Sequence, residues 1–159
     1  MDVQLELDFD LDELLSLLED ELASAVLDHL EEAFDDIGDK IRRDAASNAP
    51  VWSGELQDDL DYVVEVDDDE LFVRIGSDLP QAGPQEYGTD PFMPPPSALR
   101  EWAGSVLGDE DAAFPVALSI ADEGLDEHRY LRSAMESNMA YAQDRVESAL
   151  EDAFDEVFG

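Results

Sequence analysis

Between residues 11 and 41 an apolar side chain falls at every third or fourth position: Leu11, Leu15, Leu18, Leu22, Val26, Leu30, Phe34, Ile37 and Ile41. At 3.6 residues per turn that spacing places them on one face of a helix, with acids on the other. The pattern predicts one long N-terminal helix. Asp10 and Glu13 stand as N-cap and N3, the acidic form of a capping box. Gly38 is a candidate kink. The helix should end before Pro50, because the residue preceding a proline is pushed out of the α region.

The remaining chain supplies partners for that stripe. Val3, Leu5, Leu7 and Phe9 alternate with polar residues, the period of a short strand. Residues 62–66 and 71–75 are β-branched and aromatic runs separated by acids, which predicts a hairpin. Residues 76–96 are rich in glycine and proline and read as a long loop, with one strand near 85–87. Loops of that length in a compact domain are usually functional. Three helices follow: residues 97–107, entered through Pro96 and Ser97; residues 112–123, closed by Gly124; and a last one from near His128. The last carries the stripe Leu131, Met135, Met139, Ala142, Val146, Leu150, Phe154 and Val157. No internal repeat or linker divides the chain. The expected class is α+β, in one domain spanning residues 1–159: a long N-terminal helix, a small mostly antiparallel sheet, and C-terminal helices packed on it.

Charge limits what this fold can do. Forty-three acids face eight bases, a formal net charge of −35, and Lys40 is the sole lysine. A disordered acidic tail would be a local block poor in apolar residues, whereas here 44% of residues are hydrophobic and the acids run throughout. A nucleic-acid mimic would suit the charge. Adaptation to molar salt suits it better, because the Debye length there falls to about 3 Å and dense like charges barely repel. Eight scattered bases cannot build a nucleic-acid-binding patch.

Catalytic chemistry finds little support. The absence of cysteine excludes disulfides and thiolate metal sites. No apolar run approaches the ~20 residues of a membrane span, and Met1-Asp2 does not open a signal peptide; the expectation is a protein made in the cytoplasm, with no membrane partner. His29 and His128 lack partners at metal spacing and read as structural. Residues 67–70 lack the alternating ligands, central glycine and terminal glutamate of a calcium loop and read as a turn of solvated acids. Among so many acids a glycosidase-like carboxylate pair arises by chance. Phosphate-cradling loops, nucleophile elbows and zinc-helix motifs are missing. No enzyme, cofactor or metal is expected.

Two loop clusters remain. Ala49-Pro50-Val51-Trp52-Ser53-Gly54-Glu55-Leu56 leaves the long helix, with Pro50 stopping it and Gly54 allowing a positive φ. Glu86-Tyr87-Gly88-Thr89-Asp90-Pro91-Phe92-Met93-Pro94-Pro95-Pro96 sets aromatic and sulfur side chains on a proline-stiffened segment. That segment is either a plug beneath a surface loop or a docking surface, since aromatics on a preordered loop anchor interfaces at low entropic cost.

In this order the clusters resemble the head–tail joining family of long-tailed double-stranded DNA phages, the gene-product-ten family of lambda-like phages. Ala49, Pro50, Val51, Ser53, Gly54 and Leu56 answer to its A-P-V-x-T-G-x-L, with serine for threonine. Ile75-Gly76-Ser77 answers to V-G-S, and Glu86-Tyr87-Gly88-Thr89 to E-Y-G-T. Pro91-Phe92-Met93-Pro94-Pro95 answers to the P-F or M-P-P that follows. Arg129-Tyr130-Leu131-Arg132-Ser133-Ala134 echoes P-F-L-x-x-A, with the proline missing and Tyr130 in place of phenylalanine. The resemblance spans residues 40–135. It implies a non-enzymatic virion protein of the neck or tail-completion layer, forming a ring of its own copies, six-fold or twelve-fold, or a ring-associated layer. The ring would join portal-side connector to tail proteins and pass double-stranded DNA without binding it specifically. Combined with the charge, it implies a virus of a halophilic archaeon. A tail-terminator or head-closure role in the same virion is the alternative within the class; an acidic DNA mimic or host-interaction protein is the alternative outside it. Stiff loops at 84–96 and an edge strand at 3–9 would be the docking elements, the strand by addition to a neighbouring sheet.

Overall fold

The computed structural model describes residues 3–51, 54–67 and 70–159. Strand β1 (Val3–Asp10) leads into a short helix α1 (Leu11–Ser16) and then the long helix α2 (Asp20–Asn48). A one-turn helix α3 (Glu55–Asp59) precedes the hairpin of β2 (Asp61–Val66) and β3 (Glu70–Ser77). Helix α4 (Ala82–Tyr87) is followed by α5 (Pro96–Trp102) and α6 (Ala113–Glu123), then by α7 (Tyr130–Ser137) and α8 (Met139–Phe158). The class is α+β, as the sequence implies.

The sheet is antiparallel, in the order β1-β3-β2, so the N-terminal strand is an edge. Its register sets Leu5, Ile75 and Tyr62 in one row, and Leu7, Val73 and Val64 in the next. These rows face α2, and Val73 and Ile75 are fully buried. On the opposite face Arg74 donates to Glu6 at 2.9 Å and Glu65 at 2.6 Å while lying 4.4 Å from the Phe72 ring centroid. One cation thus ties three strands together and shields an aromatic ring from water.

Helix α2 buries the predicted stripe from Leu22 to Ile41 against β2, β3, α7 and α8. It runs unbroken through Gly38, whose role is close approach: a Cβ there would overlap the Tyr62 ring and meet Val73 Cγ2 at 2.8 Å. The stripe does not form one helix from Leu11, however. The chain breaks at residues 17–19, leaving Leu17 78% exposed. Leu11 stays buried with α1 against β3, while α2 packs on β2 and β3. Asp10 occupies the N-cap position without a side-chain capping bond, so the expected capping box does not form; its backbone pairs with Glu70 as the last residue of β1.

The C-terminal helix is also divided. Asn138 is 2% exposed, and its amide donates to Asp44 Oδ2 at 2.7 Å and to the Ala134 carbonyl at 2.8 Å. An asparagine side chain that competes for backbone acceptors interrupts a helix, and here the interruption turns α8 onto α2. The Asn138 and Lys40 hydrogen bonds hold the Asp44 carboxyl below its ordinary range. Residues 85–87 are helical rather than extended: Gln85 and Gly88 donate to the carbonyls of Gln81 and Pro84. Proline is tolerated in a first turn because the donor it lacks has no helical partner there. The helix expected over 97–107 is α-helical to Trp102 and then widens into a π-helical turn, Ala103–Leu107.

Candidate interaction site

The first cluster works from within. Ala49 takes the extended backbone that Pro50 demands, with ψ 142°. Gly54 adopts φ 82° to open α3, which puts Leu56 and Leu60 into the core at 5% and 3% exposure. From α3, Asp59 accepts hydrogen bonds from Ser77 Oγ at 2.5 Å and the Asp78 amide at 3.0 Å. The Ile75-Gly76-Ser77 motif is thereby fastened to the first cluster. Pro50 is half-buried and Val51 is exposed; Ser53 lies outside the described residues.

The second and third clusters meet, and Glu86 joins them. Its side chain is fully buried. The carboxylate accepts from the backbone amides of Leu131 at 2.8 Å and Arg132 at 3.0 Å, capping the first turn of α7, and from Arg132 Nε at 2.7 Å. The same guanidinium donates to the Glu86 carbonyl at 2.7 Å and Glu127 at 3.0 Å, and lies 4.8 Å from the Tyr87 ring centroid. The Glu86 and Glu127 hydrogen bonds raise the Arg132 pKa above its ordinary value. Tyr130 is buried, donates to the Ala82 carbonyl at 3.0 Å, and has its phenol pushed well up, first by burial and then by the Glu86 charge. Leu131 fills the core beside it.

Gly88 and Thr89 complete the staple. Gly88 has φ 70°, and a Cβ there would sit 2.6 Å from the Leu125 carbonyl oxygen. Thr89 pairs with Leu125: its amide donates to the Leu125 carbonyl at 2.9 Å, and its hydroxyl accepts from the Leu125 amide at 3.1 Å. Gly124 (φ 78°) could not carry a Cβ without overlapping the Thr89 carbonyl. Residues 85–89 and 124–132 therefore clasp each other at the root of an excursion spanning 90–123.

That excursion is a helical hairpin of α5 and α6. It packs on itself: Ala103, Ala113, Ala117 and Ile120 are buried together in this region but lie outside the main core. Pro94 is buried, whereas Pro91, Phe92, Met93 and Pro95 are exposed, Phe92 to 45% and Met93 to 50%. Val106, Leu107, Phe114 and Leu118 are about as exposed. Sequence reasoning centred on 84–96 therefore caught the root and missed most of the apolar surface. The missed signal is charge spacing. Residues 91–108 hold one arginine and one glutamate, and residues 112–121 hold no charge, in a chain of net charge −35.

A second apolar feature lies beside the N-terminal strand. Helix α2 covers β2 and β3 and scarcely reaches β1. Between β1 and α8 this leaves a groove of about 600 Å³ lined by Leu7, Phe9, Phe34, Met139, Ala142 and Val146, with Asp8 and Glu147 beside them. Among the described residues no group of three or more acids or histidines could hold a metal, and no helix is long and apolar enough to cross a membrane.

Residues 12–88 match the family model described as "Bacteriophage HK97-gp10, putative tail-component". The chain is similar to a phage tail-component family. The match spans just under half of the 159 residues and ends at Gly88, where the chain leaves for the hairpin. It takes in the first cluster, the β2–β3 hairpin and the Glu86 staple residue. It supports a structural, virion-borne protein of the phage tail or head–tail apparatus that contacts other virion proteins. A family of that kind suggests a non-enzyme. No curated protein and no solved structure matches the chain.

Proposed function

We propose that this protein is a neck or tail-completion component of a tailed virus, assembling into a closed ring between the portal-side connector and the tail. The observation that carries the reading is the Glu86 staple. The residues that the family match reaches at its end are hydrogen-bonded to residues 125–132, and they anchor a hairpin that exposes Phe92, Met93, Phe114 and Leu118 at the surface. A protein of net charge −35 that exposes Phe92, Met93, Val106, Leu107, Phe114 and Leu118 along one excursion has an apolar surface suited to contact. Acids on the remaining surface would line the lumen and repel DNA phosphates, so that the genome slides through without specific binding. The scattered acids also support adaptation to molar salt, and with it a virus of a salt-loving archaeal host. A DNA mimic would concentrate acids on one face as a monomer, whereas here acids occupy nearly every element. Negative-stain images of the purified protein in molar salt test the reading. Closed rings of constant diameter are expected; monodisperse single chains would refute ring assembly.

A further inference from the structure

We propose that residues 90–123 form an arm that opens and closes on its own, while the clasp at its root and the main core stay folded. The inference goes beyond the assembly reading and does not depend on it. Neither half of the arm is long enough to hold its own helix. Helix α5 has seven residues, the π-helical turn after it five, and α6 eleven. Isolated helices shorter than about 12–15 residues are marginal in water. Packing on the rest of a protein normally supplies the difference, and here it is scarce. The main contacts of α5 and α6 are with each other and with the turns between them. Ala103, Ala113, Ala117 and Ile120 are the buried hydrophobic residues of the arm, and none belongs to the main core.

The larger apolar side chains of the arm face outward. Three of its four buried residues are alanines, with Leu99, Trp102 and Val116 partly buried around them. Phe92, Met93, Val106, Leu107, Phe114 and Leu118 are 45–55% exposed. Opening the arm therefore exposes comparatively little further apolar surface, and the hydrophobic effect opposes it weakly. The polar ties within it are weak as well. Arg100 and Glu110 pair at 3.0 Å with side chains 55% and 61% exposed, and pairs so exposed contribute little. The root is built differently. Tyr130 and Leu131 lie in the main core, the buried Glu86 carboxylate caps α7, and Thr89 pairs with Leu125 between two glycines at positive φ. Segments with few buried contacts open at low free energy, whereas core-tied segments open only with the whole. The boundary between the two falls at Thr89 and Leu125. Local opening lets the exposed side chains regroup while the root holds its position on the core.

Amide hydrogen exchange of the full chain in molar salt, read residue by residue by nuclear magnetic resonance, tests this. Corrected for intrinsic rates, amides inside α5 and α6 should exchange at least about 100-fold faster than those of α2. The amides of Thr89, Leu131 and Arg132, which the clasp holds, should be protected like α2. Trp102 gives a second reading. The chain has two tryptophans, so in Trp52→Phe the fluorescence comes from the arm alone. It should change at a lower denaturant concentration than the far-ultraviolet circular dichroism, which the 29 residues of α2 and the 20 of α8 dominate. Equal protection of the arm and α2, or coincident transitions, would show the arm opening only with the whole chain and overturn the proposal. Clasp amides that exchange as fast as those of the arm would overturn it too. Neither result bears on ring assembly, which microscopy reads separately.

Discussion

Glu86 is a buried acid in a chain where acid is the commonest surface group, and its surroundings account for that. Two backbone amides and a guanidinium meet its carboxylate, so the charge withdrawn from water is fully hydrogen-bonded. Removing the acceptor should be costly. Glu86→Ala leaves the first turn of α7 uncapped, and loss of a cap costs about 0.5–2 kcal/mol before the unpaired Arg132 is considered. Glu86→Gln keeps one carbonyl oxygen and should cost less. Thermal melts of both should rank wild type above Gln above Ala; equal melts would mean the staple holds nothing. The glycines can be ranked in the same way. Gly54→Ala faces open space and carries only the left-handed backbone cost, about 1–2 kcal/mol. Gly88→Ala adds a collision with backbone atoms of residues 125–127, and should be the more destabilising of the two. Glu86 was legible as a motif residue but not as a buried one, since no pattern among 43 acids marks the acid that goes inside. The bases would have marked it better. Eight cations among so many acids are each committed to a pair, and Arg74 and Arg132 take two each.

The elements read from periodicity were found where long-range packing agreed with local pattern. The strand at β1, the β2–β3 hairpin and the stripe of α2 all follow the alternation of their side chains. The departures have tertiary causes. A stripe running from Leu11 to Ile41 stays in phase across residues 17–19, so nothing in its spacing marks the break there. Residues 85–87 look extended when read alone, and only the cap offered by Gly88 and the grip of α7 make them helical. Asn138 interrupts an apolar stripe that continues across it in phase. Gly38 gives a sharp test at this scale. Alanine favours an isolated helix over glycine by about 1 kcal/mol, yet overpacking a buried contact costs about 1–3 kcal/mol. Gly38→Ala should therefore lower the midpoint of denaturant unfolding, because the Cβ meets Tyr62 and Val73. A raised midpoint would show that α2 does not need its close approach to the sheet.

Across the whole molecule, charge and apolar surface are sorted. Acids cover the α2 and α8 faces, the outer sheet and the chain ends, while residues 91–121 carry one arginine and four acids, three of them at the turn 109–111. That sorting was present in the sequence as two charge-poor stretches, but their placement on one excursion clasped at its root is a property of the fold. The excess charge makes a clear prediction. In dilute buffer self-repulsion opposes the compact state, and salt screens it, so the melting temperature followed by circular dichroism should rise steeply from low to molar salt. An unchanged melting temperature would contradict salt adaptation and leave the acids unexplained. The place proposed for this protein is the junction between head and tail. Gold-labelled antibody against the chain, applied to virions of the encoding virus and imaged by electron microscopy, tests it most directly. Label confined to the neck is the predicted result; particles that carry no label, or carry it scattered over the capsid, would contradict it.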